Sequence, residues 1–217
     1  MSEAGTPSFD AKLTVCIDFK SPQAYLAKDP TYALADELDL EIDWLPLLVA
    51  QMTRPEPVAE NADRGTRHRG FRAEYAEREI QRYADLRGLV IKDVYHAPVD
   101  SSLAAVGLLW VKEHSPECLR GYMDRVFDRY WRTQELDIAD ATAIAGIVEE
   151  IGAAREGCAA YLDGEGRRVL ERLQTSLHEA GLFNVPGYVV DEEIYFGRQH
   201  LAMIRWLLTD KQGHPPI

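Results

Sequence analysis

Asp18-Phe19-Lys20-Ser21-Pro22 stands at the close of a short apolar run. Serine followed by proline is a pair that opens helices anywhere, because the hydroxyl caps a free N–H and proline fits the first helical position. That end of a helix also presents unpaired N–H groups and the positive pole of the dipole, which suit a thiolate or another anion. A serine there can donate its own hydroxyl to such an anion. Three residues on stands Ala24, so the segment is neither a capping box nor a C-x-x-C redox pair.

Three further segments have chemistry to offer. Asn184-Val185-Pro186 precedes a predicted strand, where a proline is by base rate an ordinary trans edge residue. Phe196-Gly197-Arg198-Gln199-His200 is a glycine turn into a helix, with a second set of N–H groups able to hold a carboxylate. Arg54, Arg64, Arg67, His68, Arg69 and Arg72 cluster in an otherwise acidic chain; most read as solvated charges on a helix face, with room for one or two to line an anion pocket.

Other chemistries find no support. The six histidines have no metal-binding spacing, and no metal is expected. There is no G-x-S-x-G elbow, no G-x-G-x-x-G and no P-loop. Cys16 lies inside the strand run and reads as core, and Cys118 and Cys158 are too scattered for a disulfide framework.

The chain has 217 residues, 46% hydrophobic and 28% charged, which suffices for one substantial core and excludes wholesale disorder. Lys plus Arg is 24 against 36 for Asp plus Glu, a net charge of −12. So acidic a chain is a poor general binder of nucleic acid or anionic membranes, and neither partner is expected. No apolar run approaches the roughly 20 residues of a membrane span. The polar start carries no secretory pattern, and the few cysteines suit a cytoplasmic protein with reduced thiols.

The elements that must position these residues follow from periodicity. Residues 13–19 read as a buried strand, followed by a helix from Ser21-Pro22 with a kink or restart at Pro30, and a second strand at 40–45. The middle is helical: 63–87 with a narrow apolar stripe of Phe71, Tyr75, Ile80 and Tyr83, then 101–114 apolar nearly all round, 116–132, and 140–152. A helix over 164–181 leads to a hairpin of Tyr188-Val189-Val190 and Ile194-Tyr195-Phe196 across Asp191-Glu192, and then to a last helix. The order β-α-β, helices, α-β-β-α is that of an α/β, thioredoxin-like fold with an inserted all-helical subdomain. It divides the chain into a discontinuous domain, 13–48 and 164–209, an insertion, 55–162, and loose termini, 1–12 and 210–217.

Residues 16–26 (CIDFKSPQAYL), 181–190 (GLFNVPGYVV) and 195–201 (YFGRQHL) resemble the 2-hydroxychromene-2-carboxylate isomerases and the kappa-class glutathione transferases, on the DsbA-like branch of the thioredoxin superfamily. Gln81-Arg82-Tyr83-Ala84, Tyr130-Trp131 and Asp137-Ile138-Ala139-Asp140 extend the resemblance from Leu13 to Leu208. It implies a glutathione-dependent isomerase, or a transferase, in which Ser21 hydrogen-bonds and activates the thiol of glutathione or another small thiol. The thiolate would add reversibly to an aromatic or conjugated-carbonyl substrate. Val185, before a cis Pro186, would pair with the cysteinyl backbone. Phe196, Gly197, Arg198 and Gln199 would meet the γ-glutamyl end, and Thr53, Arg54, Thr66 and Arg67 the substrate side. The resemblance also implies a homodimer.

The chain departs from the family where Asn184-Val185-Pro186-Gly187 replaces Gly-Val-Pro-Thr, and where Gln199 replaces the acid of a Gly-x-Asp-Arg turn. Gln23 stands in place of an aromatic. Losing the acid's charge-assisted contact costs on the order of 1–3 kcal/mol. With Ala24 in place of a second cysteine, dithiol exchange is disfavoured, and a catalytically silent thioredoxin-fold binding protein is the remaining alternative.

Overall fold

The computed structural model describes residues 9–216. The apolar run forms β1 (Leu13–Ile17), buried along its whole length as befits a strand covered on both faces. Helix α1 (Pro22–Leu38) returns the chain to β2 (Ile42–Pro46), which pairs parallel to β1 with Leu13 opposite Ile42. Five helices follow: α2 (Arg64–Leu86), α3 (Ser102–His114), α4 (Leu119–Phe127), α5 (Ala141–Glu150) and α6 (Cys158–Asp163). Helix α7 (Glu165–Glu179) leads into the hairpin β3 (Gly187–Val190) and β4 (Glu193–Phe196), and α8 (Leu201–Leu208) closes the fold.

The sheet order is β2-β1-β3-β4, with β3 antiparallel to β1 and β4 antiparallel to β3. This is the α/β thioredoxin-like layout, with helices α2 to α6 between its βαβ unit and its closing helix and hairpin. Sheet and inserted helices share one hydrophobic core. Phe19 packs on Phe127 at a ring distance of 4.8 Å, and Tyr25 stacks on Trp131 at 6.4 Å. The Thr31 hydroxyl, 3.0 Å from that of Tyr188, pins α1 to β3.

Several expectations are corrected. Of the kink or restart expected at Pro30, the restart does not occur, and helix α1 runs through that residue. Proline has no N–H, so the Leu26 carbonyl loses its helical donor. The Arg87 guanidinium, just past α2, donates to that carbonyl and also reaches Asp29 at 3.3 Å. The single helix expected over 116–132 divides into a 3-10 turn (Pro116–Cys118), α4, and a π-helical turn (Asp128–Thr133) that buries Tyr130 and Trp131 together.

Helix α6 was not anticipated; six residues are too few to show a period. On α2 only Gly70, Ile80 and Ala84 are buried, while Phe71 and Tyr75 are 66% and 60% exposed. The charged residues between them solvate most of that helix. Of the termini read as loose, residues 1–8 and 217 lie outside the described residues. Phe9 packs on the core, and the Trp206 indole donates to the Gly213 carbonyl at 3.3 Å.

Candidate functional site

At the C-terminal end of β1 the chain turns sharply into α1. The Ser21 N–H donates to the Asp18 carbonyl at 3.0 Å, and Pro22 takes the first helical position. Ser21 has extended backbone (φ −94°, ψ 117°), and its Oγ accepts from the Ala24 N–H at 3.3 Å. That bond uses an oxygen lone pair and leaves the hydroxyl proton available as a donor. The residue is buried, at 9% exposure, so a partner of that proton sits in a sheltered place.

Register brings the second segment to the same end of the sheet. Gly187 pairs with Cys16, so the cis Val185–Pro186 bond just before it lies beside the close of β1. The Gly197 N–H donates to the Pro186 carbonyl at 2.8 Å and fastens the turn after β4 to the same place. Gly197 has φ 97°, a backbone conformation that residues with a Cβ rarely adopt, which is why glycine stands there. The Gln199 amide folds back to donate to the Phe196 carbonyl at 2.9 Å. The Val185 N–H is already engaged by Asn184 Oδ1 at 2.9 Å.

Arg198 reaches from this turn to Gln23 Oε1 at 2.5 Å, and its guanidinium lies 3.9 Å over the Tyr83 ring. Its Nη2 is 3.7 Å from Glu79. A cavity of about 270 Å³ opens among Glu79, Tyr83, Arg87, Arg198 and Gln199. It therefore carries both signs of charge, and the residue of α1 that lines it is Pro30, in the middle of that helix.

On the other side of Ser21 lies a buried carboxylate. Asp18 is 1% exposed, and its oxygens accept from the Val49 N–H at 2.9 Å and the Lys20 N–H at 3.2 Å. Burial raises its pKa, only partly countered by the nearby Ser101 hydroxyl, those two N–H groups and the Lys20 charge. Ser101 Oγ approaches the carboxyl without completing a hydrogen bond, and it is itself buried without a partner. The Tyr130 hydroxyl is also buried and unpartnered; burial first, then the Asp18 charge, pushes its pKa up to about 12. His96 stacks on Tyr130 at 4.7 Å with its Nε2 buried and unpartnered, and burial holds its pKa down.

The structure thus gathers Ser21, Val185, Pro186, Phe196, Gly197, Arg198 and Gln199 at one end of the sheet. It does not gather the four expected on the substrate side. Thr53 and Arg54 are exposed, and Arg54 pairs with Asp93 at 3.2 Å over the Tyr95 ring. Thr66 is spent on the cap of α2, donating to Asp63 Oδ2 at 2.6 Å, and Arg67 beside it is exposed. No hydrogen bond or ion pair among the described residues links these four to Ser21.

Sequence reasoning missed Ser101, His96 and the Asn184 clamp. Of these, only Asn184 offered a signal, since a short amide before proline often bonds backbone locally. Cys16 is core as expected, its thiol pushed by burial up to about 12. Among the described residues no cluster of His, Cys, Asp and Glu could hold a metal, and no helix is long and apolar enough to cross a membrane.

Comparison with known proteins places the fold. The family model of the DSBA-like thioredoxin domain matches residues 12–209. No curated protein sequence matches the chain. A 2-hydroxychromene-2-carboxylate isomerase structure aligns at TM-score 0.69 and 20% identity, over 91% of this chain and 94% of that one. The cytosolic disulfide reductase DsbM of Pseudomonas aeruginosa aligns at TM-score 0.60 and 20% identity, over 92% and 97%. Its structure with GSH aligns at 0.59 and 18%, over 92% and 98%. At these identities the likeness is one of fold.

Proposed function

The chain belongs to the DSBA-like thioredoxin family, and from that premise we propose that it is a glutathione-dependent isomerase of the 2-hydroxychromene-2-carboxylate isomerase type. It acts in the cytoplasm, as a homodimer, on a small aromatic or conjugated-carbonyl substrate. The observation that carries the proposal is Ser21, a buried helix N-cap whose oxygen is held by the Ala24 N–H and whose proton is free.

The donor set suits a peptide thiol. Ser21 and the N-terminal pole of α1 favour the ionised form of a sulfur placed against them. Val185 would offer backbone to an extended ligand once its N–H is released from Asn184, and Arg198 and Glu79 offer opposite charges to a zwitterionic end. When bound, glutathione supplies a nucleophilic thiolate for reversible addition to a conjugated carbon, which frees a former double bond to rotate. The protein's part is to keep that sulfur ionised, hold the ligand backbone along residues 184–186 and exclude water from the Ser21 corner.

Dithiol exchange has little to support it. Ala24 stands where a second active-site thiol would be, and Cys16 and Cys158 are buried with raised pKa values. A transferase of the kappa-class type would use the same Ser21 chemistry. A silent binding scaffold draws support from Asn184, which occupies the Val185 N–H that a peptide ligand would need.

The test is glutathione-dependent cis–trans isomerisation of a conjugated aromatic enone, followed by absorbance. Ser21→Ala is expected to lower kcat by about tenfold or more, equivalent to about 1.4 kcal/mol of barrier. Undiminished turnover in the variant would sink the mechanism.

A further inference from the structure

Helices in folded proteins are held mainly by an apolar face, and α2 has very little of one. Of its 23 residues only Gly70, Ile80 and Ala84 are buried. Two guanidinium groups near its C-terminal half fasten it to the rest of the molecule. Arg87, just past its end, reaches the Leu26 carbonyl and Asp29 of α1. Arg198, from the turn after β4, meets Glu79 and the Tyr83 ring. Both arginines line the same cavity, which is the seam between α2 and the frame.

Arg198 holds a second element at the same time. Its side chain is 13% exposed, and its Nη1 donates to Gln23 Oε1 at 2.5 Å. Gln23 lies in the first turn of α1, two residues past Ser21. The N–H groups of a first turn have no acceptor four residues back, so this is where helices fray. Here the Ala24 N–H goes to Ser21 Oγ and the Tyr25 N–H to the Ser21 carbonyl. Of residues 22–24 only Gln23 has a polar side-chain atom, and Arg198 is what holds it. A planar guanidinium can serve an amide oxygen, a carboxylate and a ring face together, which the compact charge of lysine cannot.

We infer that Arg198 is a positioning residue for Ser21: by holding Gln23 it fixes the first turn of α1, and with it the Ser21 hydroxyl, against α2. The inference rests on the reading of Ser21 as the thiol-activating residue and names what keeps that hydroxyl in place. The Gly197 N–H, bonded to the Pro186 carbonyl, anchors the turn that carries Arg198, so one joint sets both Ser21 and the Val185–Pro186 segment. Gln23 stands where the resembled family has an aromatic, and Arg198 sits beside Gln199, where that family has an acid. The contact therefore belongs to this chain's own departures from the pattern.

The experiment compares the full-length wild type with Gln23→Ala, Arg198→Lys, the double variant and Ser21→Ala. Amide hydrogen exchange is followed without ligand. The ultraviolet absorbance of bound glutathione thiolate is then read at neutral pH, with calorimetry giving the amount bound and Tm recorded for each protein. Exchange at the Ala24 amide should speed about threefold in Gln23→Ala and in Arg198→Lys, the scale of one lost hydrogen bond, while the amides of β1 keep their rates. The ratio of thiolate to thiol in bound glutathione should fall by a similar factor in each. The double variant should match either single one, because both substitutions break the same contact.

Unchanged Ala24 exchange in both single variants overturns the inference, since the turn would then hold without Arg198. Effects that add in the double variant overturn it as well, because Arg198 would then act on the ligand separately from Gln23. So does a Tm lowered by several degrees with exchange speeded throughout β1, which would give Arg198 a general structural role. A thiol ratio that falls in Ser21→Ala but not in Gln23→Ala counts against this inference alone. Faster Ala24 exchange in the pair variants, with the thiol ratio unmoved by Ser21→Ala, upholds the positioning and counts against the Ser21 reading alone.

Discussion

Serine at a helix start holds its oxygen toward the helix and can turn its proton outward, and Ser21 does the first through Ala24. Truncation to alanine removes both, so Ser21→Ala should lose about 1 kcal/mol of stability from the cap. The neighbouring Asn184 acts in the opposite sense, holding the Val185 N–H that a ligand backbone would use. Asn184→Gly is therefore expected to tighten glutathione binding about fivefold, on the order of 1 kcal/mol, as read by calorimetry. No gain, or a loss, would mean that Val185 does not donate to the ligand.

Asp18 makes a prediction of its own. Its folded pKa lies above 3.8, chiefly through burial, so between the unfolded and folded values the native state binds more protons than the unfolded chain. Stability from this group therefore falls as pH rises through that interval. Asp18→Asn does not titrate. Its stability relative to wild type should improve from about pH 3 to about pH 7, measured by urea unfolding at each pH. A pH-independent difference would show that Asp18 titrates alike in both states.

At the scale of elements, the join between α1 and α2 invites a direct test. The Leu26 carbonyl, orphaned by Pro30, is served by Arg87. Arg87→Ala should cost about 1–3 kcal/mol because the buried carbonyl is stranded. The same substitution on a Pro30→Ala background should cost clearly less, since alanine restores the helical N–H. Denaturant unfolding of the four proteins in a double-mutant cycle reads the difference, and additive effects would contradict the pairing.

The elements also show what sequence can carry. The strand over Leu13–Ile17, the start of α1 and the hairpin were legible because apolar runs, Ser-Pro and turn residues are local signals. Ser21 and the Pro186 and Gly197 turns were legible as types in order along the chain. The continuity of α1 was not, because the compensating guanidinium arrives from the far end of α2. The approach of Ser101 and Tyr130 to Asp18, and the stacking of His96 on Tyr130, were not legible either. These residues come from a strand end, a helix start, a loop and a π-helical turn, and no period in the chain links them.

At the scale of the whole molecule, the sheet and the inserted helices share one core through Phe19, Tyr25, Phe127 and Trp131. The chain should accordingly unfold in a single cooperative transition, with far-UV dichroism and tryptophan fluorescence coincident in urea. Two separated transitions would show that the helical insertion holds together by itself. The shared core matters to function because it fixes the Ser21 corner between a sheet end on one side and buried helices on the other.

The central claim is that this corner ionises a small thiol. The most direct measurement is the ultraviolet absorbance of glutathione thiolate on the protein, titrated from pH 5 to 9 for wild type and Ser21→Ala, with calorimetric binding alongside. The account predicts binding to wild type with the thiol ionised well below the ordinary thiol range of about 8–9, and a shift back toward that range in Ser21→Ala. Glutathione that binds both proteins with the same thiol titration, or neither protein at all, would contradict it.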